Sequence, residues 1–145
     1  MSSESYETPR CELAFEIDVA IGDLVVVGAS KYGTRQLFPI LGGQVLGPRL
    51  MGEVLSGGAD WQLVRNDGVL ELEARYVIRA SDGSHIQVRN RGVLRPAANG
   101  LYVRTVPEFE VTNDTPHAWL NRSLFVGTVA FEKPQHVLIR VFEVV

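Results

Sequence analysis

The chain has 145 residues, the size of one ordinary domain, and 46% of them are hydrophobic. This composition excludes a disordered chain, and no apolar run approaches the roughly 18 residues needed to span a membrane. The net charge of −3 excludes a broad phosphate-binding surface, so neither a nucleic acid nor a membrane is expected as a partner.

The opening segment, 1–10, has neither the basic nor the apolar region of a secretory signal. We therefore expect a flexible arm there, followed by one domain over 11–145. The single cysteine, Cys11, cannot form an internal disulfide, which fits a reducing environment. A cytoplasmic protein is expected.

Along the rest of the chain, runs rich in β-branched and aromatic residues alternate with turn residues, and no segment shows a helical apolar period. The predicted strands are 11–19, 23–28, 36–41, 43–46, 49–55, 60–65, 69–79, 85–94, 101–106, 119–131 and 136–145. Gly, Pro, Asn and Asp mark the turns between them. This spacing is typical of a β-sandwich or β-barrel, so one all-β domain is predicted.

One hairpin has a register that can be predicted from its residues. A three-residue loop, Ser81-Asp82-Gly83 with Gly83 in the left-handed conformation, joins 71–79 to 85–91. It pairs Ile78 with Ile86 and Tyr76 with Val88 on one face, and Arg79 with His85, Arg75 with Arg89 and Glu73 with Arg91 on the other. A two-residue loop would mix polar and apolar residues on both faces, so the three-residue loop is preferred.

Arg75 opposite Arg89 is unfavourable unless negative charge lies between the two guanidinium groups. Two arrangements satisfy this condition. In the first, Glu73 bridges the arginines on a solvated face. In the second, the polar face points into a barrel, where the arginines bind an anionic ligand.

Two further stretches place polar residues on strands that are otherwise suited to burial. In "GGADWQLVRNDG", residues 57–68, Asp60 and Trp61 either cap a turn and plug the barrel end, or form a carboxylate and an aromatic wall at a cavity mouth. In "YVRTVPEFE", residues 102–110, Pro107 marks an edge or bend, and Arg104 and Glu110 either pair structurally or act in a cavity. An apolar cavity raises the pKa of a carboxylate and suits it to proton transfer.

The stretch "HAWLNR", residues 117–122, contains an Asn within a predicted strand, although strands disfavour Asn. Extended alternation places Trp119 and Asn121 on one face, with Leu120 and Arg122 on the other. We interpret Trp119 and Asn121 as pocket lining. The sequence has no standard nucleotide-binding, serine-hydrolase or zinc motif, so neither a metal nor a cofactor is expected.

Five motifs in order, G-G-A-D-W, A-R-Y, R-N-R-G, R-T-x-P-x-F-E and W-L-N-R, resemble the DUF3237 family, also labelled UPF0311. The resemblance implies a single antiparallel calycin-like β-barrel of about eight to ten strands. It gives no agreed reaction. Its recurring positions fall on Gly58, Asp60, Trp61, Arg75, Tyr76, Asn90, Gly92, Arg104, Glu110, Trp119, Asn121 and Arg122.

Our leading hypothesis is a cofactor-independent enzyme of small-molecule metabolism, acting in the barrel on a carbonyl- or carboxylate-bearing substrate. It would be an isomerase, cyclase, lyase or lactone hydrolase. The predicted catalytic residues are Asp60, Arg104, Glu110 and Asn121, and the predicted substrate-binding residues are Trp61, Arg75, Tyr76, Arg89, Asn90 and Trp119. Preorganised donors would stabilise developing negative charge, and a carboxylate would move the proton.

Two alternatives stay open. The first is a barrel that binds a small molecule without chemistry. The second is an oligomeric module, because long edge strands, of which 136–145 is expected to be one, need covering. A homodimer or larger homo-oligomer is therefore expected.

Overall fold

The computed structural model describes residues 5–145, so the first four positions of the predicted arm lie outside the described residues. Residues 5–10 are exposed and have no regular structure. The strands are β1 (Cys11–Ile21), β2 (Val25–Ser30), β3 (Gly33–Leu46), β4 (Gly52–Val54), β5 (Ala59–Val64), β6 (Leu70–Ala80), β7 (His85–Ala97), β8 (Gly100–Glu110), β9 (Phe125–Lys133) and β10 (His136–Val144). One short 3-10 helix, Ala118–Asn121, precedes β9.

The ten strands form one antiparallel sheet that closes on itself. Neighbouring strands follow the order β1-β10-β9-β8-β7-β6, after which β4 and β5 both join β6 to β3. The ring is completed because β3 also pairs with β1. This arrangement confirms the predicted all-β antiparallel barrel. No helix in the described part of the chain is long and apolar enough to cross a membrane.

The predicted hairpin register is confirmed at every pair. Ile78 lies opposite Ile86, Tyr76 opposite Val88, Arg79 opposite His85, Arg75 opposite Arg89 and Glu73 opposite Arg91. Gly83 has a φ of 92°, a left-handed conformation that glycine adopts without strain. Turn chemistry and the buried face therefore determine the same register.

The polar face of this hairpin points to solvent, and the arrangement in which it enters the barrel is wrong. Glu73 Oε2 accepts hydrogen bonds from Arg75 Nε at 2.8 Å and from Arg89 Nε at 3.3 Å. The two guanidinium groups beside Glu73 hold the pKa of its carboxyl below the usual range. One shared carboxylate thus resolves the opposition of Arg75 and Arg89.

The expectation that 136–145 forms an exposed sheet edge is wrong. β10 pairs with β1 on one side and with β9 on the other, so it lies inside the sheet. Among the described strands, the free edge belongs to β2, which pairs only with β3 and leaves Val27 65% exposed. The predicted self-association stays a prediction, and β2 is the edge that could support it.

The predicted strand 119–131 begins only at Phe125, because "HAWLNR" forms the 3-10 helix instead. The helical turn begins after Pro116, and backbone hydrogen bonds run from Leu120 N–H to the His117 carbonyl and from Arg122 N–H to the Trp119 carbonyl. The predicted alternation of faces therefore does not apply to this stretch. The segment packs its Ala118 and Leu120 side chains inward at one end of the barrel.

The barrel interior has two halves. In one half, Phe15, Phe109 and Phe125 pack edge-to-face with ring centroids 5.5 and 5.1 Å apart. Ile78 and Ile86 are also fully buried in the interior. The other half is not filled by side chains and contains the cavity that forms the candidate site.

Candidate functional site

A cavity of about 210 Å³ occupies the second half of the barrel. It reaches the surface beside Phe131, which lines the cavity and is 56% exposed. A cavity of about 150 Å³ lined by apolar side chains can hold one benzene molecule, so this cavity has room for a slightly larger compound. We take it as the candidate functional site.

β5 contributes Gln62 to the cavity, and four neighbouring strands each contribute one further polar side chain to one wall. They are Asp60 from β5, Tyr76 from β6, Asn90 from β7 and Thr105 from β8. Asp60 and Asn90 both lie opposite Ala74, which stands between them on β6. We call these four side chains the polar wall.

Each member of the polar wall has one buried atom without a hydrogen-bond partner among the described residues. These atoms are Asp60 Oδ1, Tyr76 Oη, Asn90 Oδ1 and Thr105 Oγ1. Buried polar groups in folded proteins are nearly always paired, and each exception calls for an explanation. All four residues line one cavity, which singles that cavity out as the candidate site.

Asp60 is held from one side by a chain of amides. Gln36 Nε2 donates to Gln62 Oε1 at 2.7 Å, and Gln62 Nε2 donates to Asp60 Oδ2 at 2.9 Å. This chain fixes the carboxyl group through Oδ2 and leaves Oδ1 without a partner among the described residues. Burial raises the pKa of Asp60 to about 6, although hydrogen bonds from Gln62 and the Glu73 backbone act in the opposite direction.

The opposite wall of the cavity is apolar. Strands β1, β3, β9 and β10 contribute its apolar side chains, which include Val19, Phe38, Ile40, Val129, Phe131 and Ile139. None of the described residues that line the cavity is Lys, Arg or His. The cavity therefore offers hydrogen bonds on one side and apolar contact on the other, without positive charge.

Two small residues keep this space open. Ala74 is buried between Asp60 and Asn90, where a longer side chain would enter the cavity. Gly127 lies opposite Thr105 on β9, and a Cβ atom there would stand 2.3 Å from Thr105 Oγ1. The hydroxyl of Thr105 therefore keeps its place only because position 127 lacks a side chain.

The structure brings together Asp60, Tyr76 and Asn90 of the predicted site residues, and places the others elsewhere. On β8, Val103, Thr105 and Phe109 point inward, so the even-numbered Arg104 and Glu110 point to solvent. A carboxylate does lie in the apolar cavity, but it belongs to Asp60. Arg104 Nη1 donates a hydrogen bond to the Val103 carbonyl at 2.8 Å.

A second group of predicted residues lines an open groove on the outer surface. Arg75, Arg89, Glu110 and Asn121 border this groove, which has a volume of about 860 Å³. Both arginines are already paired with Glu73. Among the described residues that line the groove, only Tyr76 has a buried unpaired polar atom, and that hydroxyl belongs to the polar wall. The cavity is therefore preferred to the groove as the candidate site.

The side chain of Asn121 hydrogen-bonds in the manner of a neighbouring strand. Its Oδ1 accepts from Val111 N–H at 3.0 Å, and its Nδ2 donates to the Val111 carbonyl at 2.7 Å. Nδ2 also donates to Asn113 Oδ1 at 3.0 Å. Asn121 thus satisfies the backbone just beyond the end of β8, and its three contacts account for an Asn at this position.

Asn121→Ala is expected to lower the free energy of unfolding by about 1–3 kcal/mol, because the buried Val111 amide and carbonyl lose their partners. Turnover by the remaining folded protein should not change. Chemical denaturation measures the first quantity, and Arg122→Ala, an exposed neighbour, serves as the control. A loss of turnover at unchanged stability would instead support the predicted catalytic role of Asn121.

The two tryptophans do not line the cavity. Trp61 is half exposed on the outer surface, where it borders a shallow groove with Arg35 and Arg91. Trp119 packs on Phe125 at 5.8 Å and beneath the guanidinium of Arg49, 3.8 Å from the ring centroid. Both contacts are structural.

Sequence reasoning missed Gln62 and Thr105. The signal was available in each case, because residues two apart in a strand share a face. Gln62 follows Asp60 by two positions, and Thr105 alternates with Val103 and Phe109. The charged residues of "YVRTVPEFE" that the sequence suggested, Arg104 and Glu110, have the opposite parity and point away from the cavity.

Comparisons with known proteins agree with this structure. A UPF0311 protein of Rhodopseudomonas palustris (strain ATCC BAA-98 / CGA009) is 38% identical over 139 residues, which cover 85% of this chain and 90% of that protein. A hydroalkoxylation enzyme of Penicillium herquei is 27% identical over 120 residues, which cover 83% of this chain and 74% of that enzyme.

A crystal structure of a conserved protein from Rhodopseudomonas palustris superposes with a TM-score of 0.88 at 34% identity, covering 97% of this chain and 100% of that one. The family model described as "Protein of unknown function (DUF3237)" matches residues 9–144. Nearly the whole described barrel lies within that match. The chain therefore belongs to the DUF3237 family, as the motifs in its sequence indicated.

Proposed function

We propose that this protein is an enzyme that performs acid–base chemistry on a small molecule inside the barrel, with Asp60 as the group that moves the proton. One observation carries the proposal. Asp60 lines the cavity, and its buried Oδ1 has no hydrogen-bond partner among the described residues, on a carboxyl whose pKa burial raises to about 6. A group with a pKa near neutrality can both accept and donate a proton at the working pH.

The relative from Penicillium herquei suggests the class of reaction. Hydroalkoxylation adds an O–H bond across a carbon–carbon double bond. The ionised Asp60 would accept the hydroxyl proton as the oxygen forms its bond to one carbon, and the protonated carboxyl would deliver a proton to the other carbon. The proton is conserved, so this step and its reverse, an elimination, need no cofactor.

The other members of the polar wall would orient the substrate. Burial and the nearby Asp60 charge raise the pKa of Tyr76, so its hydroxyl stays neutral and donates a hydrogen bond. Asn90 is only 2% exposed, and its unpaired Oδ1 would accept a hydrogen bond from the substrate. Fixed groups of this kind hold the reacting atoms in one geometry.

The test compares two carboxyl substitutions in one assay. Hydroxyl-bearing alkenes and their cyclic ether products are incubated with wild type, Asp60→Asn and Glu110→Gln, and turnover is followed by mass spectrometry. Asp60→Asn should lose about 10²–10⁴-fold in rate, the usual contribution of a general acid or base, while Glu110→Gln should retain its rate. The wild-type rate should change with pH around the pKa of Asp60.

Equal turnover by Asp60→Asn and wild type would contradict the proposal. Bound but unreacted compound in the cavity, with no turnover by either protein, would instead favour the second candidate, a small-molecule-binding barrel. The unpaired atoms of the polar wall suit such a binding role as well.

A further inference from the structure

We infer that the cavity selects an uncharged molecule of one or two rings that carries two hydroxyl groups along one edge, and that Thr105 binds the second hydroxyl. This inference builds on the proposed function, because it takes the same cavity as the active site. It adds the class of ligand and a residue that determines specificity.

The absence of positive charge selects against anions. The described residues that line the cavity include the Asp60 carboxyl and no Lys, Arg or His. An anionic ligand would lose its hydration on entering the cavity and would find no positive group there to replace it. It would also lie near the Asp60 carboxylate, and both effects are costly in a buried site. The carboxylate-bearing substrate considered from the sequence therefore fits this cavity poorly.

The polar wall is too long for one ligand oxygen. Asp60 lies on β5 and Thr105 on β8, so β6 and β7 separate them. Neighbouring strands lie about 4.8 Å apart, which places the two residues about 14 Å apart along the curved wall. One ligand oxygen cannot contact both residues, so a ligand that uses both ends of the polar wall needs two separate oxygens.

The unpaired atoms also indicate which groups those oxygens belong to. Asp60 Oδ1, when ionised, and Asn90 Oδ1 only accept hydrogen bonds, so they need donors from the ligand. A hydroxyl supplies a donor and a carbonyl does not. The hydroxyls of Tyr76 and Thr105 can each complement such a group from the other side.

Thr105 is built into the wall as a fixed hydroxyl. It is 1% exposed, its Oγ1 has no partner among the described residues, and Gly127 opposite leaves the space that Oγ1 occupies. Gly92 is equally constrained on the other side, since a Cβ there would stand 2.7 Å from Thr105 Cγ2. Glycines on both flanking strands therefore accommodate one threonine.

The experiment measures binding by isothermal titration calorimetry with 1,3-dihydroxynaphthalene, 2-naphthol and 2-naphthoate. Wild type should bind the dihydroxy compound about five- to tenfold more tightly than 2-naphthol, the effect of one neutral hydrogen bond, and 2-naphthoate more weakly than either. Thr105→Val should remove the preference for the dihydroxy compound and leave 2-naphthol unchanged. Thr105→Ser keeps a hydroxyl and should retain the preference.

Two further variants locate the binding. Gly127→Ala pushes against Thr105 Oγ1 and should weaken the dihydroxy compound selectively, while Ala74→Leu fills the cavity and should abolish binding of all three probes. Tightest binding of 2-naphthoate, equal binding of the two naphthols, an unchanged preference in Thr105→Val, or no binding at all would each overturn the inference. If the preference for the dihydroxy compound is retained but turnover does not depend on Asp60, the proposed function alone is overturned. If turnover depends on Asp60 but the preference is absent, this inference alone is overturned.

Discussion

Replacing Asp60 with Asn is expected to stabilise the fold above pH 7 by about 2–3 kcal/mol, while it removes activity. Burial raises the pKa of this carboxyl from its ordinary 3.8 to about 6. Between these two values the folded state binds more protons than the unfolded state, so the wild type loses stability as the pH rises. Below about pH 4 both states hold a neutral carboxyl, and the difference between wild type and variant should vanish.

Thermal unfolding of both proteins across this pH range gives the difference curve directly. The matched control is Asp67→Asn, an exposed carboxyl whose pKa is lowered by hydrogen bonds from Arg65 and the Val69 amide. That variant should lose stability at neutral pH, the opposite sign for the same chemical change. A flat difference curve for Asp60→Asn would mean that Asp60 ionises in the barrel without cost.

Phe125→Ala is expected to destabilise the protein by about 3–5 kcal/mol, which lowers the melting temperature by about 10–15 °C. Phe125 is 2% exposed and contacts both Phe109 and Trp119 by its ring. Removing the ring leaves a void in the half of the barrel that is otherwise packed. Differential scanning calorimetry measures the shift.

The matched control for Phe125→Ala is Phe131→Ala on the same strand. Phe131 lies at the cavity mouth and is mostly exposed, so its removal should cost less than about 1 kcal/mol. Similar losses in the two variants would mean that the cavity half contributes as much to stability as the packed half does.

The barrel and one hairpin register could be predicted because local and global preferences coincide there. The Ser81-Asp82-Gly83 turn and the segregation of Ile78 from Arg79 lead to one pairing, and the structure has that pairing. Asp60 was identified as a site residue from a polar residue on a strand suited to burial, and Tyr76 and Asn90 from the resemblance to the family. Each of them lies in the cavity.

The remaining site residues could not be predicted because their role depends on parity and on distant partners. Arg104 and Thr105 are neighbours in sequence but lie on opposite sides of the barrel wall, and the charged residue attracted the interpretation. Asn121 is conspicuous in a strand-like sequence, yet it serves the Val111 backbone. No local pattern reveals which backbone group a side chain ten positions away will satisfy.

The two halves of the barrel interior differ in how well they tolerate amino-acid substitutions. Substitutions among the tightly packed phenylalanines cost stability, whereas exchanging one apolar cavity residue outside the core cluster, such as Leu72 or Leu94, reshapes the cavity without opening the packed core. Selection for a new substrate can therefore act on one half while the other preserves folding. In the proposed enzyme, the four polar side chains would supply the chemistry and the facing apolar wall would set the shape of the substrate.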